Sequence, residues 1–141
     1  MKIALERVNK DYLFQATNPN GHQVLLDNKS KTTGEVQGIS PMELILMGVA
    51  GCSSIDIVAI LNKQKINPTS LKMEVEGLRH EGAVPALFYQ IDITIHLEGD
   101  FSAEKAKRAA QLSFEKYCSV SKTLEPTAKI NHHIILNGAA I

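Results

Sequence analysis

The segment Ser40–Leu61 constrains the fold of this 141-residue chain more than any other part of it. It begins with Ser and Pro, and a Glu follows three residues after the Ser, which is the pattern of a helix N-terminus with a capping box. A long apolar run follows, interrupted by Gly48 and Gly51 just before Cys52. We predict two consecutive helices, central and buried, with Cys52 at the start of the second.

A cysteine at a helix start is exposed to unpaired backbone N–H groups and to the positive end of the helix dipole. Both lower the pKa of a thiol and make Cys52 a candidate nucleophile. One alternative is an inert, buried cysteine that only packs. Another is a membrane span, since Leu44–Leu61 has about the required length. Asp56, the two glycines and the flanking capping box favour the core helix of a soluble domain.

Composition and charge exclude several classes of partner. Fifteen basic and fifteen acidic residues cancel, which gives no indication of a nucleic-acid or membrane partner. The N-terminal segment Met1–Arg7 carries charges where a signal peptide is apolar, so we expect a cytoplasmic protein. Two cysteines without a secretory context indicate functional or buried thiols. No Cys/His set has metal-ligand spacing, and the adjacent His132 and His133 point to opposite faces of a strand, so no metal site is predicted.

Alternating apolar residues and turn signals predict six strands, at Lys2–Val8, Tyr12–Thr17, His22–Asp27, Leu71–Glu76, Phe88–Leu97 and Ile130–Leu136. A polar segment, Asn28–Ile39, is predicted to be a loop and is a candidate entrance to the substrate site. The resulting order, βββ-αα-ββ-α-β, predicts one α+β domain over residues 1–141 with an antiparallel sheet.

A third helix is predicted to begin at Ser102. Its small buried face would consist of Ala106, Ala109, Ala110, Ser113 and Tyr117. Hydroxyl-bearing residues surround the second cysteine, Cys118, so this helix is expected to break and restart there.

The two cysteines allow a redox cycle in which a thiolate attacks a peroxide and becomes a sulfenic acid. The second thiol then condenses with it to form a disulfide. Cys52 and Cys118 are 66 residues apart, and this separation neither prevents nor proves contact. Two independent buried cysteines are the alternative.

Two motifs resemble the OsmC/Ohr family of thiol peroxidases. The first is Pro41 followed eleven residues later by Cys52 in an Ala/Gly-rich helix, and the second is the segment Glu115–Lys122 around Cys118. The element order is similar over nearly the whole chain. The segments Ser40–Leu44 and Gly21–Leu25 resemble the YhfA-like branch most.

The resemblance implies an intertwined homodimer with active sites at its interface. It implies reduction of organic hydroperoxides in oxidative-stress defence, with Cys52 peroxidatic and Cys118 resolving. An external thiol or dithiol would be the reductant, and neither a metal nor an organic cofactor would be needed.

The resemblance also implies an acid and a cation beside the thiolate. The family places Glu directly after the helix Pro. Here Met42 occupies that position and Glu43 follows, either as a catalytic group or only as a helix cap. The cation comes from the N-terminal strands, where Arg7 and Lys10 are the two candidates and the strand register does not choose between them. Arg79 is a further cation, expected at a solvated strand end.

Two other functions fit the same residues. An OsmC-fold protein that has lost peroxidase activity would bind an apolar or thiol-bearing small molecule. Acyl transfer through Cys52 would need a His base, and neither cysteine motif contains one.

Overall fold

The computed structural model describes residues 1–29 and 34–141 and comprises two compact units, Met1–Ile45 and Leu46–Ile141. The strands are β1 Ala4–Arg7, β2 Phe14–Thr17, β3 Gln23–Leu26, β4 Ser70–Arg79, β5 Phe88–Glu98, β6 Lys129–Leu136 and β7 Ala139–Ala140. The helices are α1 Pro41–Lys63, α2 Ala103–Leu112, a π-helical turn Ser113–Tyr117 and α3 Ser119–Leu124. The predicted α+β class is confirmed, and all six predicted strands are present.

The N-terminal unit contains a three-stranded antiparallel meander, β1-β2-β3. The predicted turn between β2 and β3 forms because the Asn18 side chain accepts hydrogen bonds from the backbone N–H groups of Asn20 and His22. Within the segment predicted as a loop, residues 30–33 lie outside the described residues. Its end forms a parallel bridge between Ile39 and Leu26.

Gly38 lies against the backbone of β3. A Cβ atom at this position would be 2.7 Å from both the carbonyl carbon and the carbonyl oxygen of Leu25. Backbone atoms cannot rotate away as a side chain does, so we expect Gly38→Ala to cost about 1–3 kcal/mol in the free energy of unfolding. Urea denaturation measures this cost. The control is Gln37→Ala, an exposed neighbour, and equal stability of the two variants would contradict the prediction.

The C-terminal unit contains a four-stranded sheet in the order β4-β5-β6-β7. Its central strand β5 buries one face almost completely, at Ile91, Ile93, Ile95 and Leu97. The predicted antiparallel pairing holds for β4 with β5 and for β6 with β7. It is wrong for β5 with β6, which are parallel. The helical connection between these two strands carries the chain back to the end of the sheet at which β5 begins, so β6 runs in the same direction as β5.

Helix α1 is continuous over its 23 residues, so the predicted break into two helices is wrong. An interior glycine costs a helix only about 1 kcal/mol, and the apolar residues on both sides of Gly48 and Gly51 outweigh that cost by packing. Cys52 therefore lies in the middle of a helix, and the predicted placement of its sulfur at a helix N-terminus is incorrect.

The two faces of α1 differ in burial. Within one chain, Val49, Ser53, Ile57, Ile60 and Leu61 are buried. The opposite face carries a row of exposed residues, Met47, Gly51, Ile55 and Ala59, which we call the apolar stripe. Met47 is 51% and Ile55 is 72% exposed. By length and composition, α1 could cross a membrane, which was one of the alternatives considered for this segment. The core helices of soluble proteins also meet these two criteria.

The chain from α2 to α3 contains the predicted break and restart. Ala106, Ala109, Ala110 and Ser113 are buried as predicted. Tyr117 is 45% exposed, so its predicted place on this face is wrong. The π-helical turn holds one more residue per hydrogen-bonded loop than an α-helical turn. It therefore shifts the register and brings Cys118, rather than Tyr117, to the buried side.

His132 on β6 stacks on Phe114 with ring centroids 4.7 Å apart, while its neighbour His133 is exposed, as the alternation predicts. Burial lowers the pKa of His132, the charge of His133 lowers it further, and Glu115 acts in the opposite direction. The unfolded chain therefore binds this proton first as the pH falls. We expect the free energy of unfolding to decrease below about pH 6.5.

Urea denaturation at pH 7.5 and pH 5.5 measures this dependence. His132→Gln should reduce the decrease, whereas the control His22→Gln, at an exposed histidine that does not act on His132, should retain it. An equal decrease in both variants would show that another group is responsible.

Candidate functional site

The structure brings Cys52 and Cys118 together, with Asp56 beside them. The two Sγ atoms and one carboxylate oxygen of Asp56 all lie within 4.8 Å of one another. Cys52 and Asp56 are one helical turn apart on α1, so they share a face. Both are half-buried, whereas Cys118 has no exposed surface. Both thiols are free, and access from solvent is on the Cys52 side.

Cys118 occupies the break between the π-helical turn and α3. Its backbone N–H donates to the Ser113 carbonyl at 2.8 Å, which closes the π-helical turn. Its side chain caps α3, because the Ser121 backbone N–H donates to Sγ at 3.5 Å. Cys118 is therefore the cysteine that lies at the start of a helix, whereas the prediction had placed Cys52 there. The local cause is the π-helical turn, a feature often found at functional sites.

The environment of Cys118 favours its neutral thiol. Burial raises the pKa of this thiol above its ordinary value, and the hydrogen bond and charge of Cys52 raise it further. Hydrogen bonds with Ser121 lower it, but by less than burial and Cys52 together raise it. Cys118 therefore keeps its proton near neutral pH, and because it has no exposed surface it is shielded from reagents.

Asp56 and Ser113 belong to the site but were not among the predicted site residues. One carboxylate oxygen of Asp56 lies within 4.8 Å of both sulfurs. Ser113 Oγ donates to Asp56 Oδ2 at 3.3 Å. The four-residue spacing of Cys52 and Asp56 could have predicted that both lie on one face of a helix. No sequence pattern near Ser113 predicts its contact with α1.

Glu43 lies in the N-terminal unit and forms the predicted capping box. The Ser40 N–H donates to Glu43 Oε2 at 2.8 Å, and the Glu43 N–H donates to Ser40 Oγ at 3.2 Å. Lys29 also pairs with the Glu43 carboxylate. The Lys29 hydrogen bond, followed by the Ser40 N–H, lowers the pKa of Glu43.

Arg7, at the end of β1, also lies in the N-terminal unit. Its guanidinium donates to the backbone carbonyls of Asp11, at 2.8 Å, and of Lys10. These bonds hold the turn between β1 and β2. Arg79 donates to the Ala86 carbonyl at an exposed strand end, as expected.

Comparison with known proteins gives a consistent family. Residues 32–133 match the family described as OsmC-like protein. Protein YhfA of Escherichia coli (strain K12) is 38% identical over 120 residues, which cover 84% of this chain and 86% of YhfA.

Solved structures share the fold. A hypothetical protein from Aquifex aeolicus VF5 is 27% identical, with a TM-score of 0.80 over 96% of each chain. The organic hydroperoxide resistance protein OhrB of Bacillus subtilis is 18% identical, with a TM-score of 0.66 over 94% of this chain and 96% of OhrB. At that identity OhrB shows the fold alone. The extent of the family match, the identity to YhfA and the shared fold together establish that this chain belongs to the OsmC-like protein family.

Proposed function

We propose that this protein is a thiol-dependent peroxidase that reduces organic hydroperoxides, with Cys52 as the peroxidatic and Cys118 as the resolving cysteine. The observation that carries the proposal is the pair of free thiols with Sγ atoms within 4.8 Å. One member of the pair is partly exposed and the other is fully buried. This asymmetry supports the two proposed roles, because the attacking sulfur must meet the substrate, whereas the resolving sulfur needs to meet only the attacking sulfur.

The first step takes place at Cys52. Its thiol loses a proton, and the Asp56 carboxylate lies within 4.8 Å of the sulfur, a distance over which one water molecule can pass the proton to it. The thiolate attacks one peroxide oxygen, the O–O bond breaks, and the alkoxide leaves and takes up a proton as an alcohol. The sulfur is oxidised to a sulfenic acid, and the hydroperoxide is reduced.

The second step joins the two cysteines. The Cys118 sulfur attacks the Cys52 sulfenic acid, an S–S bond forms, and water leaves. The sulfurs must approach from at most 4.8 Å to about 2.05 Å. Cys118 lies where regular α-helical geometry is interrupted, so this approach does not require a helix to unfold. An external thiol or dithiol then reduces the disulfide and restores both thiols.

The family relationship supports the same chemistry. OhrB shares the fold, and its name describes hydroperoxide resistance. We extend the proposal to Glu43 and Arg7 as catalytic residues, an acid and a cation that would assist attack at Cys52. The support for these two roles is the family pattern of a Glu beside the helix Pro and a cation from the N-terminal strands, with Glu43 one residue later than the family's Glu. We further propose one domain over residues 1–141, in the cytoplasm, acting in oxidative-stress defence.

A homodimer completes the proposal. Members of this family are generally dimeric. In a single chain the apolar stripe of α1 is exposed, with 72% of Ile55 accessible to solvent. A helix face of this kind requires a cover in a soluble protein, and we propose a second copy of the chain. Gly51 and Ala59, which are small, allow a close approach.

Reaction with one equivalent of cumene hydroperoxide tests the function. The wild-type protein should lose two thiols per chain and yield a Cys52–Cys118 disulfide in non-reducing peptide mapping. Thiols that stay unreacted after prolonged exposure of the folded protein would contradict the proposal.

A further inference from the structure

The cluster of two thiols and a carboxylate has a chemistry of its own when both cysteines are reduced. We propose that Cys52, Asp56 and Cys118 form a binding site for a soft divalent metal ion of the zinc class, with a fourth coordination position open to solvent. The inference does not rest on the peroxidase activity, because it concerns the reduced sulfurs as ligands. Two thiol protons leave to solvent as the metal binds.

The spacing of the donor atoms fits zinc after a small contraction. Zinc takes thiolate sulfur at about 2.3 Å and carboxylate oxygen at about 2.0–2.2 Å, in tetrahedral geometry. These bond lengths place two sulfur ligands about 3.8 Å apart and a sulfur and an oxygen about 3.6 Å apart. The donor atoms of the cluster lie within 4.8 Å of one another, so closure needs movements of about 1 Å or less.

Charge favours a cation at this position. Once the metal displaces the two thiol protons, two thiolates and a carboxylate place three negative charges in a half-buried cluster. Within residues 1–29 and 34–141, no lysine, arginine or histidine forms an ion pair with Asp56. A divalent ion would neutralise most of this charge, and sulfur ligands select zinc over magnesium or calcium.

The surroundings orient two of the three ligands. Ser113 Oγ donates to Asp56 Oδ2 at 3.3 Å, and the carboxylate has a second oxygen for the metal. The Ser121 N–H donates to the Cys118 sulfur at 3.5 Å. Such outer contacts fix ligand geometry in metal sites. Cys52 and Asp56 are partly exposed, which opens the fourth position to water or to an external ligand.

Metal binding and disulfide formation exclude each other, since the disulfide uses both sulfur ligands. The metal-bound state would therefore protect the two thiols from oxidation. Release of the metal would return the pair to its redox-competent form.

A zinc titration of the full-length, reduced, metal-free protein against a chromogenic chelator tests the site. We expect one zinc ion per chain. Cys52→Ser and Cys118→Ser should each weaken binding by at least about 100-fold, and Asp56→Asn by about 10- to 100-fold. The matched control Asp100→Asn, at an exposed turn, should bind as the wild type does.

Two readouts on the wild-type protein avoid reliance on variants that fail to fold. Cobalt in place of zinc should give the visible bands of tetrahedral thiolate coordination, and zinc should protect Cys52 from alkylation. Absence of stoichiometric binding at micromolar zinc would overturn the site. Binding that survives loss of either cysteine, or that is unchanged in Asp56→Asn, would overturn the three-ligand arrangement. Failure of peroxide to oxidise Cys52 would contradict the peroxidase proposal but would leave the proposed metal site unaffected.

Discussion

Cys52→Ser is expected to reduce hydroperoxide consumption to the uncatalysed background, a loss of at least about 100-fold. Cys52 is the partly exposed member of the thiol pair, whereas Cys118 has no accessible surface. Burial also raises the pKa of Cys118, which keeps it protonated near neutral pH. Without Cys52, the remaining thiol can neither reach the substrate nor ionise readily.

Cys118→Ser is the informative counterpart. It leaves the attacking sulfur in place, so the first oxidation in a single turnover should proceed within about threefold of the wild-type rate. The product should be a sulfenic acid that a dimedone-type reagent traps, with no intramolecular disulfide. Rapid-quench mass spectrometry separates these species. If the phenotypes of the two variants were exchanged, the assigned roles would be reversed, and if both variants consumed peroxide normally, the thiol mechanism would be excluded.

Ile55→Glu is expected to convert the proposed dimer into a monomer. The Ile55 side chain is 72% exposed in the chain and lies at the middle of the apolar stripe. In a two-fold symmetric dimer each substitution occurs twice, so two carboxylates would be buried against apolar surface. We expect self-association to weaken by at least about 100-fold, equivalent to about 2.7 kcal/mol.

Sedimentation equilibrium at micromolar concentration measures this change. The control is Val84→Glu, which makes the same type of substitution at a residue that is 97% exposed in a turn outside α1. It should leave association unchanged. A wild-type protein that is monomeric at this concentration, or an Ile55→Glu variant as dimeric as the wild type, would contradict the proposed interface.

Local sequence patterns determined much of the architecture. Alternation located the strands, and Ser40 with Glu43 located the start of α1, because each depends on residues close together in the chain. Hydroxyl residues around Cys118 indicated the break between α2 and α3. The spacing of Cys52 and Asp56 was also sufficient to place both on one helical face, although it was not used to predict their contact.

The tertiary structure alone decided how distant segments meet. Gly48 and Gly51 weaken a helix locally, but the packing of the apolar residues around them keeps α1 continuous and places Cys52 in its middle. The direction of β6 depends on the crossover from β5, which no local pattern contains. The site itself needed the π-helical turn, which rotates Cys118 into the interior and towards α1. Local propensities act over a few residues, whereas burial and long-range pairing select among the arrangements that those propensities allow.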